Sequence, residues 1–261
     1  MKALYIAATG MNAQQTRVEV ISNNLANMGT TGYNTRRAEF SDLLYQQVKQ
    51  PGTINASDGT VLPTGIQIGL GVRTAAVSVE LAQGGLTQSG GDLDIAIDGN
   101  GFLEVALADG TAGFTRDGSL KRSAEGVIVT SDGYALQPEI VIPDDASRIS
   151  INSEGEIFAY FRDRTEPEEL GQIELATFPN AKGLEAIGGN LFLESNASGP
   201  PINATPGLDG LGTIRQGYLE GSSVDAVREI TELIEAQRGY ELNSKVMTAA
   251  DQMMSATSQV R

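Results

Sequence analysis

The sequence predicts an α+β protein: N- and C-terminal coiled-coil-forming helices flank a central, mainly antiparallel β domain, and an extended arm follows the first helix. Three observations carry this prediction. Apolar residues recur every seven positions at both ends of the chain. Between the ends, short apolar or alternating runs are separated by Asp-Gly pairs. The charge divides at the same borders, with +2 on residues 1–50, −14 on residues 51–219 and −3 on residues 220–261, out of −15 in total.

The first element is a helix within residues 1–30. Leu4, Met11, Val18 and Leu25 form one seven-residue row, and Ala7, Gln14, Ile21 and Met28 form a second row offset by three. Together they read as an a/d seam with one polar intruder, punctuated at its end by Gly29 and Gly32. Near that end Asn23, Asn24 and Asn27 fall within five positions, and Asn is a weak helix former. Two readings stand side by side. Amides on one helix face, Asn23 and Asn27 being i and i+4, bond between helices and fix register. Alternatively, the asparagines cap a helix terminus fraying into the Gly29 turn.

Residues 31–70 read as linker and extended arm. Pro51, Gly52, Gly59, Pro63, Gly65 and Gly69 fall within residues 46–70 with little apolar periodicity. A structureless stretch of that length is uncommon in a compact domain unless it has a use.

Residues 71–219 read as the β domain. Ile95–Asp98, Phe102–Leu107, Ile149–Ile151, Ile157–Phe161 and Ile173–Phe178 are the strand candidates. Asp98-Gly99, Asp109-Gly110, Asp117-Gly118 and Asp132-Gly133 are the turns. The glycines, 31 in all, then serve largely as positive-φ turn residues.

Residues 220–261 read as a second helix, with Ser222 or Ser223 as its cap. Leu233, Tyr240, Met247 and Met254 keep a seven-residue row, while the neighbouring row, Ile230, Gln237, Ser244 and Asp251, is mostly polar. A seam that begins apolar and turns polar suits a helix meeting several different neighbours. The plainer reading is two amphipathic helices packed on their own domain.

Composition removes many chemistries. The chain has no Cys, His or Trp, which excludes disulfides, thiolate nucleophiles, imidazole bases and ordinary zinc, haem or iron–sulfur sites. Its acidity disfavours nucleic acid. Asp92, Asp94 and Asp98 lack the spacing of a calcium loop, and no phosphate-cradling or nucleophile-elbow motif is present. The reading is no enzyme, no cofactor and no metal. Ala3–Ala8 is too short an apolar stretch for a cleaved secretion signal, so export without one is expected.

Ile21-Ser22-Asn23-Asn24-Leu25-Ala26-Asn27 with Gly29, Gly32 and Tyr33 resembles the N-terminal signature of the bacterial flagellar rod and hook proteins. Ile234-Glu235-Ala236-Gln237-Arg238-Gly239-Tyr240 and Leu242-Asn243-Ser244-Lys245 resemble the matching C-terminal signature. Gln50-Pro51-Gly52, Leu62-Pro63 and Thr205-Pro206-Gly207 are similar to distal-rod members in particular.

The resemblance implies a structural subunit polymerising helically into a rigid drive shaft. Its partners would be its own copies, proximal rod proteins, the hook protein, the peptidoglycan-layer and outer-membrane ring proteins, the rod cap and the export apparatus. It would lie in the basal body, from periplasm to outer membrane. Ile230, Leu233, Ile234, Gln237, Tyr240, Asn243, Met247 and Met254 would join Leu4, Met11, Val18, Ile21, Asn23, Asn24, Leu25 and Asn27 as self-assembly residues. Gln50, Pro51, Gly52, Leu62 and Pro63 would lie in an inter-subunit arm. The rival classes are a secreted β-domain enzyme, which needs a carboxylate pair in a cleft, and an adhesin-like binding module, which needs an exposed aromatic or basic face.

Overall fold

A computed structural model describes residues 2–49, 64–164, 166–208 and 210–259. It is an α+β arrangement with one long helix at each end and strands between. Helix α1 spans Lys2–Ala26. Strands β1 (Arg36–Asp42), β2 (Tyr45–Lys49), β3 (Ile66–Gly69) and β4 (Val72–Val79) follow. Next come β5 (Leu86–Gln88), β6 (Ile95–Asp98), β7 (Phe102–Ala106), β8 (Ala112–Thr115), β9 (Lys121–Arg122), β10 (Ile128–Val129) and β11 (Ala135–Gln137). The series continues with β12 (Ala146–Ile151), β13 (Glu156–Phe161), β14 (Glu168–Gln172), β15 (Leu175–Thr177), β16 (Glu185–Gly188) and β17 (Leu191–Leu193). Strands β18 (Ile202–Ala204), β19 (Thr213–Gln216) and β20 (Tyr218–Glu220) precede helix α2, Ala226–Gln259.

Contacts divide the chain into two compact units. One comprises residues 1–25, 36–78 and 226–261; the other comprises residues 26–35 and 79–225. Strand structure thus begins at Arg36, and β1 to β3 fall in the segment read from sequence as linker and arm. There β1 pairs with β4, and β2 pairs with β3 in a two-stranded ribbon that sets Tyr45 opposite Gly69 and Lys49 opposite Ile66. Arg36–Asp42 reads Arg-Arg-Ala-Glu-Phe-Ser-Asp, too charged to announce a strand by hydropathy.

In the second unit every register pair is antiparallel among the described strands. Strand β7 is central to the largest sheet, with β8 on one side and both β11 and β15 on the other. Inward positions alternate as a half-buried sheet requires. Ile95, Ile97, Leu103, Val105, Leu136 and Leu175 form one buried cluster. A second is aromatic: Phe114 meets Phe178 edge-on at 4.8 Å, and Phe102 meets Phe178 and Phe192 at 6.0 and 5.9 Å.

The Asp-Gly turns behave as expected at Gly99, Gly110 and Gly133, all at positive φ. Gly118 differs. It is glycine because a Cβ would stand 1.8 Å from the Ile95 carbonyl oxygen, so close approach, not a left-handed turn, excludes a side chain.

Candidate assembly surfaces on the terminal helices

The helices of the first unit run antiparallel in constant register. As α1 advances from Gly10 to Gln14 to Asn24, its partner on α2 recedes from Asn243 to Gly239 to Glu229, in equal steps of four and then ten residues. A Cβ added to Gly10 would lie 2.9 Å from Asn243 Nδ2, and one added to Gly239 would lie 3.1 Å from Gln14 Cδ. Glycine at both positions therefore makes room for a partner's amide side chain. Between these contacts Arg17 reaches Glu232 at 3.3 Å and Glu235 at 3.6 Å.

Asn24 closes this seam. It is buried, its Oδ1 accepts the Arg36 N–H at 2.9 Å, and its Nδ2 donates to the Arg36 carbonyl at 2.8 Å and to Glu229 Oε2 at 3.1 Å. One amide therefore clips the first residue of β1 and bridges to α2. Both sequence readings of the asparagines are thereby modified. The bridging amide is Asn24, whereas Asn23, expected to share a working face with Asn27, is exposed.

A second contact holds α1 to the strands: Val72 donates its N–H to Thr9 Oγ1 at 3.4 Å. Gly71, at φ +116°, brings its backbone so close that a Cβ would lie 2.2 Å from the same oxygen.

The contacting positions on α1, with the buried Ala7 and Ile21, follow the alternating three- and four-residue spacing of a helix seam. That seam contains the row expected to be secondary. The primary row, Leu4, Met11, Val18 and Leu25, stands one residue further along, rotated by about 100°, and is only half-buried. On α2 the same offset applies: Leu233 and Met247 are half-buried, while Tyr240 and Met254 are exposed. Ile230, Ile234 and Gln237 are also exposed, and Asn243 is half-buried against Gly10.

In an antiparallel pair the two rotated rows lie on the same side, and they converge at a groove of about 380 Å³ lined by Gln15, Val18, Glu19, Gln237, Tyr240 and Glu241. The expected arm residues Gln50, Pro51, Gly52, Leu62 and Pro63 lie outside the described residues. Ser222 and Ser223 do not cap α2. Ser223 Oγ accepts the Thr35 N–H at 2.9 Å, Ser222 Oγ accepts the Val224 N–H, and the helix starts after Asp225.

Sequence reading missed the polar centre of the second unit. Arg116 is 7% exposed and Glu220 is 2% exposed. The Arg116 Nε donates to Glu220 Oε2 at 3.0 Å, while its Nη atoms donate to the Gly101 and Gly99 carbonyls, both at 3.0 Å. Glu220 Oε1 accepts the Gly84 N–H at 3.0 Å, and its carbonyl accepts the Gly32 N–H at 2.8 Å. Gly32, at φ +65°, packs so tightly on the Arg116–Asp117 peptide that a Cβ would stand 2.8 Å from it. Asn190 Nδ2 donates to the Thr31 carbonyl at 2.8 Å, tying the same turn to the β domain.

The carboxylates with resolved shifts do turn work. Hydrogen bonds from Thr111 hold Asp109 below its ordinary value, and one from Ser123 does the same for Glu125. Among the described residues no cluster of acidic side chains is arranged to hold a metal ion, and no helix is long and apolar enough to cross a membrane.

Helices that mate through small and polar side chains while leaving apolar rows half-open on one face define a structural, packing class of chain. Comparison with known proteins specifies the class. Residues 4–34 match a family described as flagella basal body rod protein, residues 96–159 match the flagellar hook protein FlgE/F/G D1 domain, and residues 215–260 match the flagellar basal body rod FlgEFG protein C-terminal family. The chain is 50% identical over its whole length, and over all of the relative, to flagellar basal-body rod protein FlgG of Caulobacter vibrioides. It is 48% identical to that of Agrobacterium fabrum, over 99% of this chain and 98% of the relative. It is 37% identical to that of Bacillus subtilis, over 97% of each. The chain belongs to the flagellar basal-body rod protein family and is a structural component of the flagellum, not an enzyme.

Proposed function

We propose that this chain is the distal-rod subunit, polymerising helically into the rigid shaft that joins proximal rod to hook. The observation that carries the reading is the open apolar face of the helix pair. Intrachain packing consumes Gly10, Gln14, Asn24, Gly239 and Asn243, and leaves Leu4, Met11, Val18 and Leu25 half-open beside Tyr240. Burying such rows against further helices is the main source of stability for long helices, and coiled-coil packing with neighbouring copies would do so. Two different faces meeting in a head-to-tail contact produce an open helix rather than a closed ring.

The full-length relatives bearing the rod-protein name support the assignment. The wider partner set follows from the same reading: proximal rod and hook proteins at the ends, ring proteins around the shaft, and the cap and export apparatus during assembly, with export requiring no cleaved signal. The arm at 50–63 would bridge subunits. The ribbon at its base exposes Tyr45, Val48, Ile66 and Ile68, and a lone two-stranded ribbon is marginal without a partner.

Electron microscopy of basal bodies from a deletion strain tests the proposal. Loss of the distal rod with the proximal parts in place is expected, and a fully motile deletion strain would overturn it.

A further inference from the structure

We infer that the groove between α1 and α2 receives the outer ridge of α2 from a second copy of this chain. This inference rests on the helical polymer proposed above and specifies its contact. The groove has an apolar floor, Val18 and Tyr240, and Glu19 and Glu241 give it two carboxylates. Earlier on α2, Ile230, Ile234 and Arg238 succeed one another at i, i+4 and i+8, forming one of the ridges by which helices enter grooves. Ile230 and Ile234 are each 46% exposed, a large exposure for two isoleucines on one ridge. Arg238 is also exposed and makes no ion pair or hydrogen bond among the described residues.

Ridge and groove are complementary in three respects. An apolar ridge meets an apolar floor, one guanidinium meets two carboxylates, and a convex row meets a concave channel. A second groove offers none of these, because it would set Glu19 and Glu241 against their own copies. The contact is therefore heterologous: each chain offers its ridge to one neighbour and its groove to another.

The chain contains no Cys, so an introduced pair reports a single contact. Gln15→Cys and Ile234→Cys chains are co-produced in a strain lacking the native copy, basal bodies are oxidised, and products are separated without reductant. A disulfide dimer is expected from the mixture and from neither variant alone. A dimer from Gln15→Cys alone would mean groove against groove and would overturn the inference. Formaldehyde treatment of the same preparations separates the two levels. A ladder of cross-linked copies without the mixed disulfide sinks this contact but leaves the polymer standing, whereas no ladder even from the unmodified chain sinks the polymer itself.

A second variant covers the case of cysteine chains that fail to assemble. Arg238→Glu should lower the number of rods per cell by about tenfold or more, since it sets three carboxylates together. Helix content of the isolated chain, by circular dichroism, should be unchanged, and adding Glu241→Arg should recover assembly. Undiminished rod number in Arg238→Glu overturns the inference.

Discussion

Gln14 packs on Gly239 across the helix pair, its Cδ 3.1 Å from where a Cβ at 239 would stand. A glycine in mid-helix gives up about 1 kcal/mol of helix propensity relative to alanine. The seam offsets that loss by seating the Gln14 side chain in the vacant space. Substitution at the two positions should therefore be coupled. Gly239→Ala in the native chain should change stability little, because the gain in propensity is opposed by crowding. In a Gln14→Ala background the same change should stabilise by about 1 kcal/mol. Gly239→Leu should destabilise by roughly 1–3 kcal/mol. Urea titrations followed by circular dichroism read all three, and additive effects would show that the contact does not govern residue 239.

Gln14 itself yields a second prediction. Its Oε1 is buried without a hydrogen-bond partner among the described residues, and an unsatisfied buried acceptor costs about 1–3 kcal/mol. Gln14→Leu keeps the bulk against Gly239 and removes the acceptor. The isolated chain should gain stability, visible as a higher urea midpoint with unchanged slope.

Legibility from sequence followed hydropathy closely. Ile95–Asp98 and Phe102–Ala106 were readable as strands because they alternate onto a buried face. Both helices were readable because apolar side chains recur at seven. Which row meets the partner was not, because Gly10, Gln14, Gly239 and Asn243 carry no hydropathy signal. In a close seam, small size and amide pairing select residues that a hydrophobic count ignores. The apolar rows that stood out are the ones this chain leaves half-open. Strand β1 was hidden by its charged residues, and Arg116 could not be matched to Glu220 across 104 positions of chain. Only the rarity of a buried arginine marks that pair, and burial is not written in one sequence. The spacing of Gly10 and Gly239 inside good helical patterns was the one clue to the seam.

The Arg116–Glu220 pair should be asymmetric in its response to mutation. Arg116→Met leaves Glu220 buried and unpaired, and it deprives the Gly99 and Gly101 carbonyls of their donor. A loss of about 3–5 kcal/mol is expected. Replacing both residues, Arg116→Met with Glu220→Leu, should recover part of that loss, because no uncompensated charge remains. Thermal unfolding by circular dichroism is the measurement, and a double variant no better than Arg116→Met would mean that backbone bonding, not charge, dominates.

Asn24 holds both backbone groups of Arg36. Asn24→Ala should cost about 1–3 kcal/mol, as buried donors and acceptors lose partners. The effect should be local, so hydrogen exchange at the Arg36 amide should accelerate far more than at Leu103. Asn24→Asp should be worse than alanine at neutral pH, since it removes the donor and places a carboxylate beside Glu229. Equal exchange in all three proteins would remove the clip.

The arm gives the last prediction, and the division of the chain makes it separable from folding. Residues 46–63 fall in the unit that contains the helices, while the β core at 79–225 belongs to the other. Deleting them removes most of β2 and the segment beyond it, and should leave the melting of the β core close to that of the intact chain. The proposed bridging role predicts that the consequence appears only on assembly: rods should form but bend more readily. Bending stiffness, measured from the curvature of isolated rods by electron microscopy, reads this directly. A deletion with native stiffness would assign rigidity to the helices alone. A deletion that melts the β core would show that the arm supports the fold and would remove the reason for placing it between subunits.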